Sequence, residues 1–190
     1  SISTNTIDTM MFFTNLGKMY RLVVDNIPET TNAGKGMYVG SLVNLEKDEK
    51  VIAMTSLHRN STANHVVFIT KQGMIKKTLL KEYTKVKRST GIQAIKLKEG
   101  DSIATVTFLN EEELILISKD GMSIHLATED IAPIGRVASG VKSIKLNEGD
   151  YVLTALPVHK ETDFVALFTS GGYGKKVPIS EFPIQGRVGK

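Results

Sequence analysis

The 190-residue sequence contains no cysteine. This absence excludes disulfide frameworks, cysteine zinc sites and thiolate catalysis. The chain also lacks any apolar run near the ~18 residues that a membrane-spanning helix needs, and residues 1–11 have neither the basic start nor the apolar middle of a signal peptide. We therefore expect a soluble cytoplasmic protein with no membrane partner.

Motifs for catalysis and metal binding are missing as well. The four histidines never stand three or four residues apart, so the sequence favours surface or turn histidines over metal ligands. No Gly-x-Ser-x-Gly elbow is present, and no tyrosine lies in an activating motif. The glycine-rich stretches 34–36 and 171–174 do not lie between a strand and a long helix, which disfavours a nucleotide-binding loop. We expect no catalytic residue, metal or cofactor in this chain.

What the sequence does contain is an internal repeat. One marker is a glycine after a short apolar run, at residues 17, 73, 121 and 172, with spacings of 56, 48 and 51 residues. A second series of glycines, at 36, 91, 140 and 189, keeps step with spacings of 55, 49 and 49. A third marker is the series LEKD (45–48), LKEGD (97–101) and LNEGD (146–150). The chain is therefore predicted to hold four copies of one unit, approximately 1–55, 56–109, 110–160 and an incomplete 161–190.

Each unit is predicted to be a small β-sheet. Short stretches rich in Val, Ile, Phe and Thr between Gly, Asn and Asp turns predict β-hairpins. The glycines of TKQG (70–73) and SKDG (118–121) fall where a hairpin turn needs a positive φ. The helical candidates 79–83 and 128–131 are too short for stable helices, and we interpret them as loop turns.

About four strands in ~50 residues is the size of one propeller blade. We therefore expect a single all-β domain, a propeller-like stack of four-stranded blades. The last repeat lacks its final hairpin. Either residues 1–10 complete it, or the chain is an excerpt of a longer array.

The charge is distributed unevenly among the repeats. Residues 56–109 carry ten basic and three acidic residues, a net charge of +7, whereas the other three repeats carry −1, −3 and +1. The fourth residue after each marker glycine is Arg21, Lys77, His125 or Lys176, and we call these the position-four residues. Because repeated blades superpose by rotation, equivalent cations are expected to form a strip along one rim, which suits the backbone of duplex DNA. The alternative is that such charges are solvated faces that only prevent aggregation.

Several strings resemble the C-terminal domain of bacterial DNA gyrase A subunits. In the second repeat they are FITKQGMIKKT (68–78), EY (82–83), GI (91–92) and AIKLKEGD (94–101). The first repeat adds FFTNLGK (12–18), IPE (27–29) and VNL (43–45), and the last adds GYGKK (172–176) and EFP (181–183). The resemblance covers nearly the whole chain.

This resemblance implies a β-pinwheel, a propeller-like disc whose blades exchange strands and whose basic outer edge bends and wraps duplex DNA. It implies a non-catalytic domain of an ATP-dependent type II topoisomerase, in which wrapping directs strand passage and negative supercoiling. The cleavage tyrosine, ATP and Mg²⁺ would then lie elsewhere in an A2B2 enzyme, formed by the remainder of the A subunit together with the B (ATPase) subunit. It also implies a bacterial, nucleoid-associated location, and we expect the isolated domain to be a monomer.

The sequence also allows other functions for such a domain. The related domain of topoisomerase IV bends DNA and selects substrate for decatenation. The gyrase family carries a Gln, Arg, Gly-rich box in its first blade, but the nearest string here is QGRVGK (185–190) in the last, so the box does not separate the two enzymes. A propeller-type scaffold for protein partners is a second class. A propeller hydrolase would need a ring of carboxylates near the axis, which the sequence does not suggest.

For DNA binding we predict contacts to phosphates without base reading. Nine residues are predicted to make them: Arg21, Lys76, Lys77, Lys81, Lys87, Arg88, Lys175, Lys176 and Arg187.

Overall fold

The computed structural model describes residues 7–25, 45–56, 63–86, 91–110, 112–158, 164–168 and 174–189. Within these ranges almost all regular structure is β, which confirms the predicted fold class. The loop-turn interpretation of the two helical candidates, 79–83 and 128–131, needs correction, because each overlaps one short helical turn. These are the four-residue helix α1 (Lys81–Thr84) and a 3-10 turn at Thr128–Asp130. No helix in the described ranges is long and apolar enough to cross a bilayer.

The strands follow the apolar runs of the sequence. In chain order they are β1 (Ile7–Thr14), β2 (Lys18–Asp25), β3 (Val51–Ser56), β4 (His65–Thr70), β5 (Met74–Leu79), β6 (Ile92–Gln93), β7 (Ile103–Leu109), β8 (Glu113–Ser118), β9 (Ser123–Ala127), β10 (Val141–Lys142), β11 (Val152–Val158), β12 (Phe164–Phe168) and β13 (Gly174–Pro178).

These strands form four antiparallel sheets, one for each predicted repeat. The first sheet has the order β3-β1-β2-β6 and the second the order β10-β5-β4-β7. The third has the order β11-β8-β9, and the fourth consists of the hairpin β12-β13. Residues 7–10, which the sequence offered as a possible completion of the last blade, belong to β1 and pair with β2 in the first sheet.

Neighbouring sheets exchange short strands. Strand β6 leaves the second repeat and pairs with β2 of the first sheet, at Lys18 and Met19. Strand β10 leaves the third repeat and pairs in the same way with β5 of the second sheet. An isolated parallel bridge between His125 and Ile184 places residues of the fourth repeat against β9. Each sheet is therefore held by its successor through backbone hydrogen bonds.

One member of the second series of glycines, Gly140, makes the exchange of β10 possible. Gly140 stands just before β10 with a φ of +88°, and a Cβ placed on it would lie 2.4 Å from the carbonyl oxygen of Ile75. The same Cβ would lie 3.0 Å from the Cβ of Lys76. Only a residue without a side chain allows the incoming backbone to approach β5 this closely.

The third marker of the repeat holds the hairpin turns. One carboxylate oxygen of Asp101 accepts hydrogen bonds from the amides of Gln72 (3.0 Å) and Ser102 (2.8 Å). Asp150 does the same for Asp120 (3.0 Å) and Tyr151 (2.8 Å) one repeat later. The shared EGD string therefore ties each hairpin turn to the strand that follows, by satisfying amides that the turn leaves unpaired.

The core lies between successive sheets. Val67 and Ile69 on one face of β4 pack into a buried cluster with β8 and β9 of the third sheet. Val66 and Phe68, on the opposite face, pack against the first sheet, where the ring of Phe13 lies 5.5 Å from that of Phe68 in an edge-to-face arrangement. Because both faces of β4 are covered, its sequence reads as a continuous apolar run, the pattern of a strand buried on both sides.

Candidate nucleic-acid interface

The nine predicted phosphate-binding residues do not share one environment. Lys87, Arg88 and the side chain of Lys175 lie outside the described residues. The other six lie on β2, β5, α1, β13 and a closing 3-10 turn at Arg187–Gly189. They are Arg21, Lys76, Lys77, Lys81, Lys176 and Arg187.

The predicted equivalence of the position-four residues is confirmed by strand register. In every hairpin the position-four residue forms the third pair from the turn. These pairs are Met11 with Arg21, Val67 with Lys77, Ile115 with His125 and Ala166 with Lys176.

The position-four residues nevertheless do not form an exposed strip. Lys77 is 5% exposed and its Nζ donates to the carbonyl oxygen of Thr128 at 3.0 Å. The half-buried Arg21 donates from Nη1 to the carbonyl oxygen of Thr84 at 3.3 Å. The buried ring of His125 lies with Nδ1 2.7 Å from the carbonyl oxygen of Phe182.

Each of these carbonyl acceptors belongs to the next repeat, at the short helical turn that follows its hairpin. The position-four residues of the first three repeats therefore fasten each sheet to its successor. The expected strip is wrong for them because their polar ends face a neighbouring sheet. Lys176, in the last repeat, is exposed.

Lys76 is fully buried, so its prediction as a phosphate contact is also wrong. Its ammonium donates to the hydroxyl of Tyr83 at 3.0 Å, to the carbonyl oxygen of Ala94 at 2.7 Å and to that of Arg136. The nitrogen also lies 5.0 Å from the ring centroid of Phe68. Burial, assisted by the positive charge of Arg136, lowers the pKa of Lys76 to about 7, and burial raises the pKa of the Tyr83 hydroxyl.

The three acceptors of Lys76 come from three different segments. Tyr83 follows the β5 hairpin, Ala94 follows the exchanged strand β6, and Arg136 belongs to the third repeat. Lys76 thus joins β5 of the second sheet to the segments that follow β5 and β6 and to the third repeat. A fully buried ammonium is not available for a direct contact to a phosphate.

Three of the predicted cations are exposed, namely Lys81, Lys176 and Arg187, and two of these three lie far apart. Lys81 follows the end of the β4–β5 hairpin at which His65 pairs with Leu79, the end remote from the turn. Arg187 donates from Nη1 to the carbonyl oxygen of Lys142 at 2.9 Å, and Lys142 pairs with Met74 beside the hairpin turn. Lys81 and Arg187 therefore lie toward opposite ends of the second sheet.

Sequence reading missed one repeated set of exposed lysines. Lys96 and Lys145 occupy the same place in two successive repeats, after the exchanged strands β6 and β10, and both are exposed. Each is the centre of an IKL string whose isoleucine is buried. Because side chains alternate across an extended segment, the lysine in such a string faces away from the core. The alternation of a buried isoleucine with an exposed lysine is the sequence signal for these two lysines, and a count of charges in each repeat does not detect it.

Arg136 was also missed. It donates from Nη1 to the carbonyl oxygen of Gln93, the second residue of β6, as Arg187 does to the second residue of β10. Both arginines stand in a Gly-Arg-Val string, at 135–137 and 186–188. These two arginines hold the exchanged strands of the preceding repeat, and the shared string is the sequence signal for them.

Other site types find no support in the described part of the chain. There, no three histidine, aspartate or glutamate side chains are grouped as metal ligands. The ion pairs that the structure describes are Lys18 with Glu46 and His125 with Glu113. The geometry therefore offers exposed lysines at one repeated position, on a scaffold that uses Lys76 and Lys77 internally.

Comparison with known proteins gives one family across all four repeats. The family described as "DNA gyrase C-terminal domain, beta-propeller" matches residues 8–57, 64–110, 112–159 and 163–190. Among relatives, the DNA gyrase A protein of Mycolicibacterium smegmatis is 34% identical over 189 residues, and that of Streptomyces coelicolor is 35% identical over 188. That of Lawsonia intracellularis is 33% identical over 192 residues.

These matches cover 98%, 95% and 100% of this chain, respectively. The chain spans only 22% to 23% of the length of these relatives.

Two solved structures share the fold. The C-terminal domain of a DNA topoisomerase IV superposes with a TM-score of 0.82 at 25% identity, covering 97% of this chain and 58% of that one. A DNA gyrase A C-terminal domain superposes with a TM-score of 0.72 at 24% identity, covering 97% of this chain and 59% of that one.

Proposed function

The chain belongs to the family of DNA gyrase C-terminal domains, and from this premise we propose that it binds and bends duplex DNA through its exposed lysines and arginines. In this proposal the domain performs no covalent chemistry. It holds a DNA segment on a curved surface so that the strand passage of a type II topoisomerase proceeds toward negative supercoiling.

The observation that carries the proposal is the recurrence of exposed lysines at equivalent places in successive repeats. Lys96 and Lys145 are one such pair. Equivalent cations on successive sheets recur at a spacing set by the fold, as phosphates recur at a spacing set by the duplex. Such contacts position DNA without reading its sequence. Lys81, Lys85, Lys176 and Arg187 add exposed cations from the helical turn, β13 and the closing turn.

The energetics permit bending by such contacts. Bending a site of 20 to 30 base pairs costs roughly 1 to 6 kcal/mol by elastic estimates. Each neutralised phosphate releases condensed counterions, and this release offsets the cost at low salt. The proposal therefore requires an affinity that falls steeply with ionic strength.

Within the family, we assign the chain to gyrase and not to topoisomerase IV. The curated relatives that cover the chain are named as gyrase A proteins, and this favours gyrase although a topoisomerase IV domain shares the fold. We accordingly propose that the domain acts within the A component of an A2B2 enzyme in the bacterial cytoplasm, on the nucleoid. ATP and Mg²⁺ would act elsewhere in that enzyme.

The test is DNA affinity measured over a range of salt concentrations. Replacing Lys81, Lys85, Lys96 and Lys145 together by glutamine should weaken binding to a 30-base-pair duplex at 100 mM salt. The slope of log K against log salt should fall by about 0.9 for each phosphate contact removed. Lys76 and Lys77 are unsuitable for this test, because their replacement disturbs the core.

A matched control removes charge elsewhere. Lys47 and Lys50 are exposed in the first repeat among acidic neighbours, and their replacement by glutamine should leave the slope unchanged. Equal losses per replaced lysine in the twofold control and the fourfold variant would reduce the effect to net charge. An unchanged affinity in the fourfold variant would instead favour the protein-scaffold alternative. Ligation of nicked plasmid with the domain bound, followed by linking-number analysis, reports wrapping and its handedness.

A further inference from the structure

One segment of the third repeat, residues 134–138, bonds to both of the sheets that precede it. The amide of Ile134 donates to the carbonyl oxygen of Lys77, on β5 of the second sheet, at 2.8 Å. Arg136 donates from Nη1 to the carbonyl oxygen of Gln93 on β6, a strand that is paired with β2 of the first sheet. We call residues 134–138 the first brace, because they connect the third repeat with two sheets at once.

The same arrangement recurs one repeat later in residues 185–188, which we call the second brace. The amide of Gln185 donates to the carbonyl oxygen of His125, on β9 of the third sheet, at 2.8 Å. Arg187 donates to the carbonyl oxygen of Lys142 on β10 at 2.9 Å, and β10 is paired with β5 of the second sheet. In both braces an amide donates to a position-four residue and an arginine to the second residue of an exchanged strand. The arrangement therefore belongs to the repeat.

A brace differs from the contacts between neighbouring sheets in the number of repeats that it joins. In repeat proteins each repeat usually contacts only its neighbours, so small rotations at successive joints accumulate along the array. A bond from the third repeat to a strand paired with the first sheet closes a loop of three contacts. Such a loop restrains the angle between the first and second sheets, which a contact between two neighbours leaves free to vary.

The first brace also holds a lysine that we propose as a DNA contact. Lys96 follows β6 and is exposed, and its amide donates to the carbonyl oxygen of Ala138 at 3.1 Å. The half-buried Arg136 keeps its charge at all ordinary pH values and offers its donors in a planar fork. The carbonyl oxygen of Arg136 accepts the buried ammonium of Lys76. The backbone and side chain of the brace thus fix β6, β5 and the backbone of Lys96 relative to one another.

We propose that Arg136 is a positioning residue that sets the angle between successive sheets and thereby the curvature of DNA bound across them. The curvature rests on the DNA binding proposed above, whereas the brace does not. Bending a duplex costs elastic energy, so DNA stays bent only as far as the surface that holds it keeps its shape. With the brace intact, Lys96 and Lys145 keep a fixed separation and the duplex bends to reach both. Without it the sheets rock, and the bound duplex is straighter.

Amide hydrogen exchange on the full chain tests the brace without using DNA. In Arg136→Met, which removes the donors and keeps an apolar stem, the protection factor of the Lys96 amide should fall about tenfold, the loss of one hydrogen bond from a charged donor. The Val188 amide, which bonds the carbonyl oxygen of Ser143 at 2.9 Å in the second brace, should keep its protection. Arg187→Met should give the reverse pattern, and it serves as the test if Arg136→Met fails to fold. Unchanged protection of the amide in the same brace would overturn the proposal.

A 30-base-pair duplex labelled at both ends measures the curvature by fluorescence energy transfer. At saturating protein, transfer should be lower with Arg136→Met than with the wild type. The dependence of affinity on salt should stay the same, because no phosphate contact is removed. Lys119→Met is the matched control, since it removes one positive charge from an exposed residue of the same repeat outside the brace, and it should leave transfer unchanged.

The two experiments separate the brace from the proposed function. Equal transfer with Arg136→Met and with the wild type, or an equal loss with Lys119→Met, would refute the positioning role even if the Lys96 amide loses protection. Failure of the wild type to bind the duplex would overturn the proposed function and the curvature together, and the exchange result would still decide whether the arginines brace the sheets.

Discussion

Four lysines of the second repeat lie within ten residues of one another, but two of them are buried and two are exposed. Lys76 and Lys77 are buried on β5, whereas Lys81 and Lys85 are exposed on and beside α1. A count of charges gives all four equal weight. Strand β5 lies between β4 and β10, so it is an interior strand of its sheet. A basic repeat therefore uses some of its cations to join sheets and presents others to solvent.

The largest loss of stability is expected from a substitution that prevents β10 from packing closely against β5 over the buried lysines. Gly140→Ala places a Cβ against the Ile75 carbonyl and the Lys76 Cβ at a φ of +88°. Left-handed backbone and overpacking together should cost about 3 to 4 kcal/mol of unfolding free energy. Gly121→Ala is the control, because Gly121 has a φ of +87° and nothing within 4 Å of the added Cβ.

Denaturant titration measures both variants. Gly121→Ala should lose only the backbone cost of about 1 to 2 kcal/mol. If the two variants lose the same stability, the close approach of β10 to β5 does not contribute.

The next effect separates Lys76 from Lys81 directly. Lys76→Ala removes a buried stem and the donor that serves three oxygens, and should cost about 2 to 3 kcal/mol in unfolding free energy. Lys81→Ala should change stability by less than about 0.5 kcal/mol, as exposed substitutions usually do. Chemical denaturation of both proteins at one pH provides the measurement, and equal losses would contradict the difference in burial.

The pH dependence of Lys76 gives a smaller and more specific effect. Its folded pKa of about 7 lies below the ordinary lysine value of 10.5, so between these values the unfolded chain binds more protons than the folded one. Unfolding free energy should therefore rise with pH across that window, by on the order of 1 kcal/mol per pH unit. The difference between the wild type and Lys76→Met isolates this contribution, since all other titrating groups are shared. A difference that stays constant from pH 7 to 9 would show that Lys76 keeps its proton.

The fold could be predicted from the sequence because its signals are local and repeated. The glycines, the EGD strings and the short apolar runs each specify a turn or strand within a few residues, and the hairpins of the four sheets follow these signals. Burial of Lys76 and Lys77 could not be predicted in this way, since it depends on β10, a strand supplied by residues more than sixty positions away. The acceptors of the position-four residues of the first three repeats lie 51 to 63 positions away in sequence.

Four of the exposed lysines form two pairs at different places, and the smallest predicted effect uses these pairs to locate the DNA. Lys81 and Lys85 lie at the end of the second sheet remote from its hairpin turn, whereas Lys96 and Lys145 follow the exchanged strands. Replacing either pair by glutamine should leave unfolding free energy within about 0.5 kcal/mol of the wild type.

DNA affinity should distinguish the two pairs, because DNA that follows one end of the sheets contacts one pair more than the other. Loss of two phosphate contacts lowers the salt slope by about 1.8, and loss of none leaves it unchanged. Titrations of both double variants at 50, 100 and 200 mM salt would assign the DNA path to one end. Equal, half-sized changes in the slope would mean instead that the duplex crosses from one end of the sheets to the other.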